Sequence, residues 1–200
     1  MVNTSRPAGL SPAREIDGDA WSGGVNIYYV PSTDGTVIAV GDPVKSAGSA
    51  SADGIPDVTL GTAGSAVRGV VIAIGAYAAG SIYADPDQLS LRVLPATKTK
   101  NYVVAVADDP GLLFEVEEDS VGGALAATDV GLNADLVAGT NNGYVSGWLL
   151  DSSTKATTAT LNCKIMRLVP RSDNAIGASA KWWVKLNNHE LNSGTGTAGV

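Results

Sequence analysis

Short stretches in which apolar and polar residues alternate, cut apart by Gly, Pro and Asp, run through most of the chain, and almost none of it carries a helical period. The clearest lies in Asn101–Ser120, NYVVAVADDPGLLFEVEEDS. There Leu112, Phe114 and Val116 fall on one face of a strand and Leu113, Glu115 and Glu117 on the other, as in a strand with one face buried and one wet. Tyr102–Ala107 is apolar on both faces and belongs deeper in a sheet. Asp108-Asp109-Pro110-Gly111 between them predicts a type II turn, with Pro110 presetting φ and Gly111 accepting a positive φ. The pair is expected to form a central hairpin.

The same reading extends outward. Val25–Val30 and Thr36–Val40 predict strands on either side of a Pro31–Gly35 loop. Lys45–Ser65, rich in Gly, Ala, Ser and Asp, predicts an ordered excursion with short strand fragments such as Val58–Leu60. The near-continuous apolar strand Ala66–Gly75 follows at once, with Gly69 as a candidate bulge. A turn over Gly80–Asp87 and strands over Leu89–Leu94, Tyr144–Leu150, Leu161–Val169 and Ala180–Leu186 complete the set, with one helical turn near Gly123–Ala127. Roughly eight to ten strands at short spacing imply an all-β fold, a jelly roll or a related β-sandwich or barrel.

The ends differ from the middle. Residues 1–24 hold Pro7, Pro12 and scattered charges without any period, and their apolar residues are Leu10, Ile16 and Trp21. An extended arm of this length reaches roughly 80 Å at ~3.3 Å per residue. Three anchors do not offset the ordering cost of all of it, so the arm is either mobile or ordered by pairing with a neighbouring chain. Residues 25–190 read as a single β-rich domain and 191–200 as a flexible tail. The amino terminus lacks the apolar core of a signal peptide and no 18-residue apolar run occurs, so a soluble chain made in a cytoplasm is expected, with no membrane partner.

Composition sharpens this picture. With 24 Gly, 9 Pro and 16% charged residues, turns are frequent and the surface is weakly charged. Cys163 is the single cysteine, which excludes an intramolecular disulfide and a Cys-pair zinc site. A net charge of −7 opposes nucleic-acid binding by phosphate neutralisation. The charge is uneven: two basic and three acidic groups in 1–24, five and fourteen in 25–150, six and three in 151–200. A basic carboxy-terminal quarter beside an acidic middle pairs either within one fold or across a subunit contact.

Catalytic chemistry finds little support. Asp108, Asp109, Glu115, Glu117, Glu118 and Asp119 lack calcium-loop spacing and read as a solvated face. His189 is the only histidine, and Cys163 shares a strand face with Leu161 and Ile165, so a nucleophilic pair of the two is not expected. No G-x-S-x-G, G-x-G-x-x-G or Walker loop occurs. The expectation is a protein without catalytic residues, metal or cofactor. Adjacent Trp182 and Trp183 must point to opposite faces of their strand, so one of them meets a second layer or a partner. Trp183 with Lys181 and Lys185, opposite Glu115 and Glu117, forms a candidate subunit interface. An exposed tryptophan also suits a sugar platform, which keeps open the alternative of a carbohydrate-binding or adhesive β-sandwich module on a virion surface.

VNIYYVPSTDGTVIAVGDPVK, GVVIAI, YVVAVADDPGLLFEVEED, GLNADLVAGT and KWWVKLNNHEL, taken in order after a proline-containing arm, resemble cement (decoration) proteins of tailed bacteriophages. The resemblance implies a jelly roll or related barrel that associates as a dimer or trimer. It implies a structural protein on the outer capsid surface of the virion, made in the bacterial host cytoplasm, whose extended segments bridge subunits of the major capsid protein. Residues 1–24 would be the bridging arm, with Arg6, Leu10, Arg14 and Trp21 as its capsid contacts. The stretch Lys45–Ser65 departs from the family pattern.

Overall fold

A computed structural model describes residues 3–78, 81–84, 91–192 and 196–200. The chain is all β, as the alternation predicts. Its strands in order are β1 (Ser11–Glu15), β2 (Asn26–Val30), β3 (Ile38–Ala39), β4 (Pro43–Ala50), β5 (Pro56–Leu60), β6 (Gly69–Ala78), β7 (Ser81–Ala84) and β8 (Val93–Leu94). They continue with β9 (Tyr102–Ala107), β10 (Leu112–Glu117), β11 (Asn133–Ala134), β12 (Leu136–Val137), β13 (Leu149–Leu150), β14 (Cys163–Leu168) and β15 (Lys181–Leu186). Single 3-10 turns lie at Ala127–Asp129, just past the predicted helical turn, and at Ser152–Thr154. The turn expected over 80–87 and the start of the Leu89–Leu94 strand fall partly outside the described residues.

The first sheet runs β4-β5-β2-β9-β6-β7, and β4 also pairs with β6, so β4, β5, β2, β9 and β6 close a five-stranded ring. Closure removes the sheet edges that would otherwise seek partners. Inward alternation fills the ring with Tyr28, Val30, Val44, Val58, Val71, Val104 and Val106, and Ile38 of β3 and Leu94 of β8 join the same core. The excursion Lys45–Ser65 is therefore ordered, supplying most of β4 and all of β5. The bulge in β6 falls between Val71 and Ala73 and not at Gly69. Gly69 serves close approach, because a Cβ there would stand 2.5 Å from the Ala107 carbonyl oxygen.

The second sheet has the order β1-β10-β15-β14-β11, all antiparallel. Its inner face carries Leu112, Phe114, Val116, Cys163, Ile165, Trp182, Val184 and Leu186. These pack with Leu136 and Leu150 of the β12–β13 pair, with Trp148, with Val67 just before β6, and with Val70 and Ala107 from the barrel. A closed five-stranded ring beside a five-stranded sheet fits the related sandwich and barrel forms of the expected all-β fold.

Four further expectations are corrected. The strands at Tyr102–Ala107 and Leu112–Glu117 have the predicted bounds but are no hairpin: β9 belongs to the barrel and β10 to the five-stranded sheet, and the Pro110 turn carries the chain from one to the other. Leu112 N–H donates to the Asp109 carbonyl at 3.1 Å, yet Gly111 is not among the residues with positive φ, so the turn is not type II. The 191–200 tail is pinned in its described part, where Thr197 N–H donates to Asn187 Oδ1, Gly199 N–H to the Thr157 carbonyl and Val200 N–H to the Gly131 carbonyl.

The fourth correction concerns residues 1–24, whose described part, 3–24, does not stand away as an arm. β1 pairs antiparallel with β10 in the chain's own sheet, with Ser11 opposite Glu115 and Arg14 opposite Leu113. Leu10 is 1% exposed in the core, and its N–H donates to the Gly41 carbonyl. The unpaired edge of β10 supplies the backbone partners, which lets the segment order without a neighbouring chain.

Candidate interaction face

Among the described residues the outer side of the five-stranded sheet is covered only in part, Leu113 and Glu117 of β10 being buried, and alternation decides what stands on the rest. In β15 burial alternates strictly, with Trp182, Val184 and Leu186 inward and Lys181, Trp183 and Lys185 outward. Trp182 is fully buried, so Trp183 is the outward tryptophan. Glu115 lies opposite Trp183 on β10, and on β14 Lys164 stands opposite Lys185 and Arg167 opposite Trp183. A register shift between Ile165 and Arg167 inserts Met166 and turns Arg167 onto the outer face.

The face is basic in an acidic protein. The guanidinium carbons of Arg14 and Arg167 lie 5.5 and 5.2 Å from the Trp183 ring centroid, so cations from both flanking strands approach the indole. Glu115 Oε1 accepts from Arg171 Nη1 at 2.8 Å and lies 3.8 Å from Lys181 Nζ, which balances part of that charge. Arg14, Lys164, Arg167 and Lys185 form no ion pair among the described residues. Lys164 and Lys185 face each other across the ladder, an arrangement that opposes folding because like charges directly opposite repel. Lys164 Nζ donates to the Ala198 carbonyl, which satisfies a proton and leaves the charge uncompensated.

Two recesses border the face. One, of about 400 Å³, is lined by Ile16, Lys164, Met166 and Lys185, by Leu186 and Asn187 at the end of β15, and by Asn192, Gly196 and Thr197 beyond it. The other, of about 510 Å³, is lined by Asn3, Arg6, Arg171 and Lys181 with Asp173.

The sequence-predicted residues divide accordingly. Trp183, Lys181, Lys185 and Glu115 come together on one face. Glu117 does not join them: it is buried, and its Oε2 accepts the Arg6 N–H at 2.8 Å. Of the four arm residues, Leu10 is core, Arg14 stacks on Trp183, Trp21 packs against the sheet's core and Arg6 is held by Glu117 through its backbone. They are parts of the chain's own body and not a free bridging segment. Lys164, Arg167 and Arg171 were missed. Alternation against Cys163 and Ile165 already points Lys164 outward, whereas Arg167 depends on a bulge that leaves no mark in the residue pattern.

Half of the acidic cluster is not a solvated face, while Asp109 is exposed and Glu115 and Asp119 are half-buried. Asp108, Glu117 and Glu118 are buried. Asp108 accepts from Asn26 and from the Tyr28 hydroxyl, and Glu118 Oε2 accepts the Leu125 N–H at 2.7 Å. Burial pushes Glu118 above the usual carboxylate range, opposed by hydrogen bonds from Leu125 and Ala180. These carboxylates tie loops to strands.

Cys163 lies in the core, and burial pushes its thiol pKa up. His189 is 1% exposed, its Nδ1 accepts the Leu191 N–H at 3.0 Å, and burial holds its imidazole below the usual value. Among the described residues no group of three or more His, Cys, Asp or Glu is arranged to hold a metal, and no helix is long and apolar enough to cross a membrane. Comparisons with protein-family models, with curated proteins and with solved structures return no match.

Proposed function

We propose that this protein is a structural virion component that binds the outer surface of an assembled phage capsid and stabilises the mature lattice by spanning major capsid protein subunits. The observation that carries the reading is the outer face around Trp183, where cations without an ion-pair partner among the described residues surround a half-buried indole on a protein of net charge −7. It joins the sequence resemblance to decoration proteins. A face of this kind performs no reaction; it steers and holds a surface of opposite sign.

With residues 3–24 folded onto the body, the grip falls to this sheet face and not to a trailing arm. The mechanism is linkage: a protein that binds a site present only in the mature lattice stabilises that lattice by mass action, and many identical copies act together through multivalency. The carbohydrate reading is weaker on the same observation, since a sugar stacking on Trp183 meets a ring already approached by Arg14 and Arg167.

The test is co-sedimentation of the purified protein with mature capsids and with unexpanded procapsids of its phage, followed by thermal disruption of the decorated particles. Binding to mature capsids with a raised disruption temperature supports the reading. Failure to bind, or equal binding to any anionic surface, overturns it.

A further inference from the structure

The recess at the β14–β15 end of the face combines two features that point to one ligand chemistry. Lys164 and Lys185 bring two ammonium groups to it from directly opposed ladder positions, with no carboxylate paired to either among the described residues. Ile16, which is 52% exposed, and Met166, displaced by the bulge, supply apolar wall beside those charges. The volume, about 400 Å³, suits one or two side chains and not a whole domain.

We propose that this recess captures a carboxylate side chain with an adjacent apolar residue, presented on an acidic segment of a partner protein. The inference rests on the decoration reading and names the chemistry of its partner: on the capsid, an Asp or Glu beside an aliphatic residue in an exposed segment. A carboxylate between the two ammonium groups removes the repulsion that the Lys164–Lys185 pair carries in the free protein. Methionine suits the apolar half because its unbranched side chain adapts to differently shaped neighbours.

Two other occupants fit less well. A second copy bound symmetrically through this face would set Arg14, Lys164, Arg167 and Lys185 against their own equivalents, which like charge opposes. A nucleic acid would meet Glu115 within the face and the field of a chain of net charge −7 around it.

The experiment is titration of the purified full chain with an N-acetylated, C-amidated hexapeptide of alternating Glu and Leu, alongside its Gln–Leu counterpart and a single-stranded oligonucleotide. The Glu peptide is expected to bind, to weaken on the order of tenfold between low and physiological salt, and to lose binding in Lys164→Glu/Lys185→Glu. Met166→Ala, which leaves both charges, is expected to weaken it by roughly threefold. Equal binding of the Gln peptide, tighter binding of the oligonucleotide, or retention in the double variant overturns the proposal. Thermal unfolding of Lys164→Gln/Lys185→Gln at or above the wild-type temperature, as relief of the like-charge pair requires, serves as the folding control for charge removal. If the double variant still binds mature capsids, the recess assignment falls and the decoration reading stands. If wild-type protein binds the peptide but no capsid, the decoration reading falls and the recess remains an acidic-segment site.

Discussion

The guanidinium of Arg14 lies 5.5 Å from the centre of the Trp183 ring, so the amino-terminal strand helps to build the interaction face it was expected to reach past. Arg167 approaches the same ring from the other flanking strand, at 5.2 Å. Partly exposed contacts of this kind are worth ~0.5–1 kcal/mol each. Arg14→Ala and Arg167→Ala are expected to leave the fold intact, lower stability by about that much, and raise acrylamide quenching of the tryptophan emission. Unchanged quenching in both variants would show that neither cation shields the indole in solution.

Leu10 decides whether the first residues belong to the body. Its side chain is in the core and its N–H is bonded to Gly41. Truncation to Ala should cost about 2–5 kcal/mol, the range for a buried leucine, read as a lower urea midpoint at constant slope. Gly9→Ala should be comparably harmful, because φ is +66° there and a Cβ would stand 2.3 Å from the Ser146 Cβ and 2.4 Å from the Gly41 carbonyl oxygen. A Leu10→Ala variant as stable as the parent would return the segment to the status of a free arm.

Cys163 offers a probe of global opening. Its thiol is fully buried, and burial raises its pKa, so the reactive thiolate is scarce as well as inaccessible. Labelling by a thiol reagent at neutral pH is expected to be negligible in the native protein and to track the unfolded fraction as urea is added. Rapid stoichiometric labelling without denaturant would mean that the β14–β15 core opens locally.

What was legible in the sequence was the strand alternation. β9 and β10 have the predicted bounds, and the outward set Lys181, Trp183 and Lys185 follows from period two once β15 is recognised. Partners were not legible. Whether Tyr102–Ala107 pairs with Leu112–Glu117 depends on which sheet each strand joins, and a turn sequence reports the reversal without reporting the neighbour. Polar burial was hidden for a related reason. Asp108 and Glu118 read as wet because nothing nearby in sequence shows that Tyr28 and Leu125 will arrive to hydrogen-bond them. The same gap made residues 1–24 look unsupported, since the open edge of β10 that orders them is a property of the sheet.

Asp42 gives the sharpest pH prediction. Its carboxylate is buried in the β3–β4 turn, where Oδ2 accepts the Ala39 N–H at 2.7 Å and a hydrogen bond joins it to Ser146. Burial outweighs those bonds and raises its pKa to about 6 from an ordinary 3.8. The folded protein therefore holds this proton more tightly than the unfolded chain does. Stability falls as pH rises from the ordinary value toward 6, and the full penalty, on the order of 3 kcal/mol, applies above that. His189 acts in the opposite sense: burial lowers its pKa, so its contribution is present above the unfolded value and is lost as pH falls toward the folded one. The raw pH profile of the wild type thus mixes slopes of opposite sign, Glu118 adding to that of Asp42, and the difference between wild type and Asp42→Asn isolates one. Asparagine keeps an acceptor for the Ala39 N–H and carries no charge to bury. The variant is expected to gain on the wild type by about 2–3 kcal/mol between pH 4 and pH 7.5 in urea unfolding. A difference that does not change with pH would show that Asp42 titrates normally in the fold and that its carboxylate is reached by water.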